Sequence, residues 1–139
     1  MAVPAVYLNN GVVVTLATVN LSDHVTSASI SRTFDQLEIT AMGNSSHVFT
    51  KGLEASTVTL DFLNDLAASE VVATLQSAWG TTVALTLKQT SAATSATNPL
   101  YSTTVLVNNT TDINGAVGDI STQSITFTCN SPIVITTAP

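Results

Sequence analysis

Four stretches of this chain alternate apolar and polar residues with a period of two, a pattern that suits an extended strand with one buried face. Val58, Leu60 and Phe62 alternate with Thr57, Thr59 and Asp61. Val83, Leu85 and Leu87 alternate with Thr82, Ala84, Thr86 and Lys88. Ile125, Phe127 and Cys129 alternate with Ser124, Thr126 and Thr128. Leu37, Ile39 and Ala41 alternate with Gln36, Glu38 and Thr40. The expected fold is mainly β, with sheets that turn apolar residues to one face and hydroxyls or carboxylates to the other. Thr is 24 of 139 residues, and its β-branched side chain is at home on a half-buried pleated surface.

Further strands follow from turn signals. Asn9-Asn10-Gly11 supplies the backbone freedom of a tight hairpin and predicts that residues 5–8 pair with residues 12–16. Residues 25–34 read as a Ser-rich strand that runs into residues 37–42 through a turn near Phe34-Asp35. Residues 101–107 and 133–135 add two more. Residues 43–55 and 108–119 read as loops, and the Ser/Ala/Thr-rich residues 89–99 as a flexible or extended connector. One segment departs from period two. Leu66, Val71, Val72, Leu75, Ala78 and Trp79 follow helical spacing, with Asn64 or Asp65 as cap and Gly80 as stop. The expectation is an amphipathic helix over about residues 65–79, with Trp79 filling the core beside it. No repeat or internal boundary interrupts the chain, so one domain over residues 1–139 is expected.

Charge is the second constraint. Only Arg32, Lys51 and Lys88 are basic against nine acidic residues, so charged residues are 9% of the chain and the net charge is −6. Free-standing domains carry roughly 25–35% charged residues on their surface, and surfaces buried against other protein are depleted of them. Self-assembly is therefore expected. Three scattered cations cannot neutralise a run of phosphates, which argues against tight nucleic-acid binding, and an acidic surface disfavours anionic membranes. No apolar run approaches the length of a membrane span, and Met1-Ala-Val-Pro-Ala-Val has no basic lead-in, so neither membrane insertion nor a signal peptide is expected. The single Cys129 reads as a buried free thiol.

The sequence offers little to catalysis. No glycine-flanked nucleophile motif is present. Asp23 and His24 are neighbours that a strand would point to opposite faces, so a solvated turn is the plainer reading, and His47 reads as a polar loop residue. Two distant histidines and one cysteine have no metal-ligand spacing. Asp112-Ile-Asn114-Gly115 starts like a calcium loop but lacks the later glutamate. Glu38 and Asp61 would share a polar face if their strands paired as a hairpin, yet the chain has seven aromatic residues in all (one Trp, two Tyr, four Phe), too few for a carbohydrate cleft. No enzyme activity, cofactor or metal is expected.

The segment Leu21-Ser-Asp-His-Val-Thr-Ser-Ala-Ser-Ile-Ser-Arg-Thr-Phe-Asp-Gln-Leu-Glu-Ile-Thr-Ala-Met-Gly-Asn-Ser, with its continuation Lys51-Gly-Leu-Glu-Ala-Ser-Thr-Val-Thr-Leu-Asp-Phe, resembles the tail tube proteins of long-tailed phages. The shared feature is a long paired hairpin, followed by a helix and Thr-rich closing strands, over about residues 19–129. The resemblance implies a β-sandwich or small barrel with one flanking helix, in a virion protein assembled in the bacterial host cytoplasm into rings, commonly hexameric, that stack into a tube. Double-stranded DNA would pass through without specific binding, and tape-measure and tail-end proteins would be further partners. It also implies that residues 43–55, with Gly43, Asn44, Ser45, Ser46, His47, Lys51 and Glu54, reach the next ring; there Lys51 either meets a carboxylate or stays solvated. Asp35, Glu38 and Asp61 are the acids expected on the inner wall, where they would repel the DNA backbone. Hydroxyl faces such as Ser27, Ser29, Thr57 and Thr59 would line seams or the lumen. A capsid-decorating or minor tail protein is the neighbouring alternative. A carbohydrate-binding module, with Tyr7 and Tyr101 as its only plausible exposed aromatics, is the third.

Overall fold

The computed structural model describes residues 11–138. It is mainly β and antiparallel, with one helix. Strands β1 (Val13–Leu16), β2 (Val19–Asn20), β7 (Thr82–Lys88) and β8 (Leu100–Leu106) pair in the order β2-β1-β7-β8. Strands β9 (Thr122–Cys129), β6 (Thr57–Leu63) and β3 (Val25–Ser31) continue the path as β9-β6-β3. The two halves join only where Val105 and Leu106 of β8 meet Cys129 and Thr128. The start of β8 pairs instead with β10 (Val134–Thr136). Side chains from both halves meet in one core that contains Val14, Leu85, Leu60, Phe62, Ile125 and Phe127, a sandwich-like arrangement. The alternation expected for residues 57–62, 82–88 and 124–129 is met by the inward faces of β6, β7 and β9, with Val83 and Cys129 at strand ends only partly buried. Cys129 lies on the inward side of β9 but is only half-buried, and burial pushes its thiol pKa up.

The predicted hairpin partner over residues 5–8 lies outside the described residues. Among those described, β1 turns back into β2 through Ala17 and Thr18, both with positive φ. No glycine or asparagine signals that turn. The strand pairing on either side and the Ala17 N–H bond to the Ala84 carbonyl hold it.

The helix is shorter than its periodicity suggests. α1 spans Val71–Ala78 and buries Val71, Val72, Leu75 and Ala78. Asp65 takes the Ala67 N–H on its side chain, a local turn that competes with helix, and Ser69 adopts φ 63. The first turn is lost, and Leu66 stands 82% exposed. At the other end Trp79 leaves helical geometry with ψ 125, before Gly80 turns at φ +77. The indole therefore swings out of the helical phase and is 56% exposed, not a core plug.

Residues 89–99 are likewise not a loose connector. Asn98 is buried, donates to the Thr90 and Ala92 carbonyls and accepts from the Thr90 N–H, so one side chain organises the loop. In a similar way buried Gln123 accepts from Thr111 N–H and donates to Asn64, tying the loop of residues 108–121 to β9.

The largest departure concerns the segment after β3. No turn forms at Phe34-Asp35. After a break at Arg32-Thr33 the chain continues as β4 (Phe34–Glu38), which pairs with β5 (Phe49–Glu54). Thr33 and Ala55 hold the two strands together at the base, and β5 leads into β6. The result is one long ribbon: its lower part, β3 with β6, belongs to the main sheet, and its upper part, β4 with β5, is a separate two-stranded arm. The segment read as a loop over residues 43–55 is thus half strand.

Candidate functional site

The arm is the least satisfied part of the described chain. Every residue of β4 is exposed. Phe34, Leu37, Ile39, Met42, Val48, Phe49 and Leu53 are all among the exposed large hydrophobics, with Met42 fully so. A lone two-stranded ribbon is marginal in water, and a contiguous exposed apolar surface marks an interaction site. Cross-strand neighbours share a face. Leu37 opposes Thr50, and Ile39 bonds across to Val48, so Asp35, Leu37, Ile39 and Val48 form one face. Gln36, Glu38, Phe49 and Lys51 form the other. A bulge between Phe34 and Gln36 requires Gly52, because a Cβ there would lie 2.9 Å from both the Cβ and the carbonyl oxygen of Asp35.

The tip is built by polar contacts. Gly43 turns at φ +93, Asn44 accepts from the Ala41 N–H at 2.7 Å, and Ser45 and Ser46 complete the bend. Glu38 accepts from Thr40 at 2.9 Å and makes a short bond with His47 Nδ1; these bonds hold its carboxyl below the usual range. His47 therefore has a defined role at the neck of the tip. Lys51 and Glu54 sit on β5, not in a loop. The Lys51 Nζ lies 5.7 Å from the centre of the Phe34 ring, a cation–π contact within the arm. Glu54 accepts from Ile133 N–H at 2.9 Å and Ser56 Oγ at 2.7 Å, which depress its pKa. It anchors the foot of the arm to the segment after β9.

Three expected wall acids occupy three settings. Asp35 and Glu38 lie on opposite faces of β4, and Glu38 pairs with Phe49, so the shared face expected for Glu38 and Asp61 does not form. Asp61 is opposite Ser27 on one side and Ser124 on the other. The next rows are Ser29–Thr59–Thr126 and Ser31–Thr57–Thr128. Nine residues across β3, β6 and β9 thus make an outward face of eight hydroxyls and one carboxylate, with Thr59 and Thr126 linked at 3.1 Å. The sequence indicated Ser27, Ser29, Thr57 and Thr59 on such a face; the register adds β9.

A second polar cluster was missed. Asp23 and His24 lie in a 3₁₀ turn, Ser22–His24, where neighbours can meet. His24 Nδ1 is 2.9 Å from Asp23 and 3.4 Å from Glu70, while Nε2 is 2.8 Å from Asp65. Burial disfavours the imidazolium, but the bonds to Asp65 and Asp23 and the nearby Glu70 outweigh it and raise the His24 pKa. Asp65 is correspondingly lowered, first by the Ala67 N–H and then by His24. Donor atoms of Asp23, His24 and Glu70 lie within 4.8 Å of one another, a spacing that a cation fits. Through Asp65 and Glu70, His24 clamps the turn before β3 to the start of α1. The signal was not local, since Asp65 is 41 residues from His24.

Exposed aromatics also differ from expectation. Tyr7 lies outside the described residues, whereas Trp79, Phe34 and Phe49 are each about half exposed. Two of these belong to the arm. No helix among the described residues is long and apolar enough to cross a membrane. No family model and no curated protein sequence matches this chain.

Proposed function

We propose that this chain is a structural subunit that assembles with copies of itself, through its arm, into stacked rings forming a phage tail tube. The tube is a conduit for double-stranded DNA. The observation that carries the reading is the arm itself, a two-stranded ribbon with exposed apolar residues on both faces and, among the described residues, nothing that covers them. The resemblance of residues 19–129 to tail tube proteins points the same way, since it too rests on a long paired hairpin. Among the described residues β3 and β4 are edge strands, and closure into rings removes such edges.

In this reading the tip, from Gly43 to His47, reaches the next ring, and the hydroxyl face around Asp61 forms the inner wall. Hydroxyls give a wettable surface without fixed positive charge, and Asp61 repels phosphate, so a duplex slides and does not bind. The subunit is placed in the virion, with tape-measure and tail-end proteins as neighbours. Hexameric rings are the proposed symmetry.

Electron microscopy of the purified protein tests the reading. Stacked rings or tubes are expected. Isolated rings or trimers that never stack favour the capsid-decorating alternative, and a monomer at high concentration rejects both. Virions carrying Asp61→Lys are expected to form tubes that eject DNA more slowly; unchanged ejection rejects the wall role.

A further inference from the structure

A groove of about 440 Å³ opens at the foot of the arm, between the edge of β3 and the strands β7, β8 and β10. Ile30, Leu87, Tyr101 and Ile135 give it an apolar lining, and Arg32 and Lys88 stand on its border. Two of the three cations of the chain are therefore gathered at one groove. Among the described residues neither makes an ion pair. We infer that this groove receives the arm of a second copy, with the face made by Asp35, Leu37 and Ile39 lying in it. The inference rests on the arm-mediated assembly proposed above and names the surface that receives the arm.

Charge complementarity selects the occupant. The arm carries three of the acidic residues, and two are already engaged: Glu38 by His47 and Thr40, Glu54 by Ser56 and the Ile133 N–H. Asp35 has no hydrogen-bond or ion-pair partner among the described residues. It shares its face with Leu37 and Ile39, which are both about half exposed. An apolar strip with one unpaired carboxylate thus matches an apolar groove bearing two cations, neither held in an ion pair among the described residues, although Arg32 also acts on Glu54 at longer range. Lys51, the remaining cation, projects from the opposite face of the arm and does not oppose this docking.

Reach excludes the chain's own arm. Arg32 immediately precedes the base of the arm, and Ile39 lies six residues beyond Thr33, about 20 Å away at the usual strand rise. An extended ribbon carries its apolar face away from the groove at its own foot. Insertion into a neighbour's groove is therefore head-to-tail, the geometry that closes into rings or propagates as stacks. A desolvated carboxylate between Arg32 and Lys88 would also fix the register of docking.

The test uses the full chain and charge reversal. The Arg32→Glu/Lys88→Glu double variant is expected to fold, as judged by circular dichroism, and to raise the concentration needed for assembly roughly tenfold or more. Asp35→Lys alone should do the same, and the combination of all three changes should restore assembly. Normal assembly of the double variant, or no rescue by the combination, overturns the groove assignment while wild-type tubes leave the proposed function standing. A wild type that never assembles removes both. A Cys129→Ser chain carrying Leu37→Cys and Ile135→Cys, which keeps Asp35, Arg32 and Lys88, is expected to give a ladder of disulfide-linked copies under oxidation. No ladder from assembled protein contradicts the inference. A ladder that appears only after residues 1–10 are deleted assigns the groove to the chain's own amino-terminal segment, and overturns it as well.

Discussion

Strands β6 and β9 and strands β4 and β5 are both antiparallel pairs that carry large apolar side chains, yet they meet opposite fates. β6 and β9 turn Val58, Leu60, Phe62, Ile125 and Phe127 into the core and keep hydroxyls outside. β4 and β5 present comparable apolar side chains, and the described residues lay no second layer against them. Alternation therefore specifies a strand and its two faces, while burial depends on what the topology lays against each face. In the body the opposing half of the sandwich supplies that layer; in the arm the proposed supplier is another copy.

The contrast can be broken most sharply by truncating side chains in each region. Phe127→Ala, in the body, should cost about 3–5 kcal/mol of folding stability, measured by denaturant unfolding of dilute subunits. Leu37→Ala with Phe49→Ala, in the arm, should change that stability by less than about 1 kcal/mol, near the surface range for two sites, and yet abolish tubes under the electron microscope. A large loss of subunit stability in the arm variant would mean that the arm already packs within its own chain. A subtler change is Gly52→Ala. Its Cβ has no space beside Asp35, so the bulge must shift. Weakened assembly, read by sedimentation, is expected with little effect on body unfolding. Assembly at the wild-type concentration would show that the arm's shape is not critical.

The smallest effect belongs to the His24 clamp, which lies in the body. A raised folded pKa means that the His24 contribution is complete below its ordinary value of 6.5 and is lost as pH rises through the raised value. The lowered Asp65 acts in the other direction: its contribution is present above its ordinary 3.8 and is lost as pH falls through the lowered value. The clamp is therefore complete between 3.8 and 6.5. Thermal unfolding of the wild type should fall modestly from pH 6 to 9, whereas His24→Gln should show a weaker dependence. Identical profiles would remove the clamp.

How much of this was legible in the sequence depended on whether the deciding contact was local. Val58, Leu60 and Phe62 announced β6 because inward and outward residues alternate within the strand itself. Phe49–Glu54 announced nothing, since Gly52 interrupts it and pairing with β4 is what makes it a strand. Helical spacing at Leu66 and Trp79 was real but was overruled at both ends, by the Asp65 turn and by the backbone of Trp79 before Gly80. The acids were identifiable as residues and not as a site: Glu38, Asp35 and Asp61 acquired different neighbours only through register. His24 became a clamp through partners that arrive from a distant turn.

Amide hydrogen exchange along the arm tests most directly whether copies of the chain complete one another. In dilute subunits the amides of β4 and β5 should exchange far faster than those of β6 and β9, and in assembled protein they should slow while the body changes little. An arm already protected in dilute subunits, or one still unprotected in the assembled state, would contradict the account.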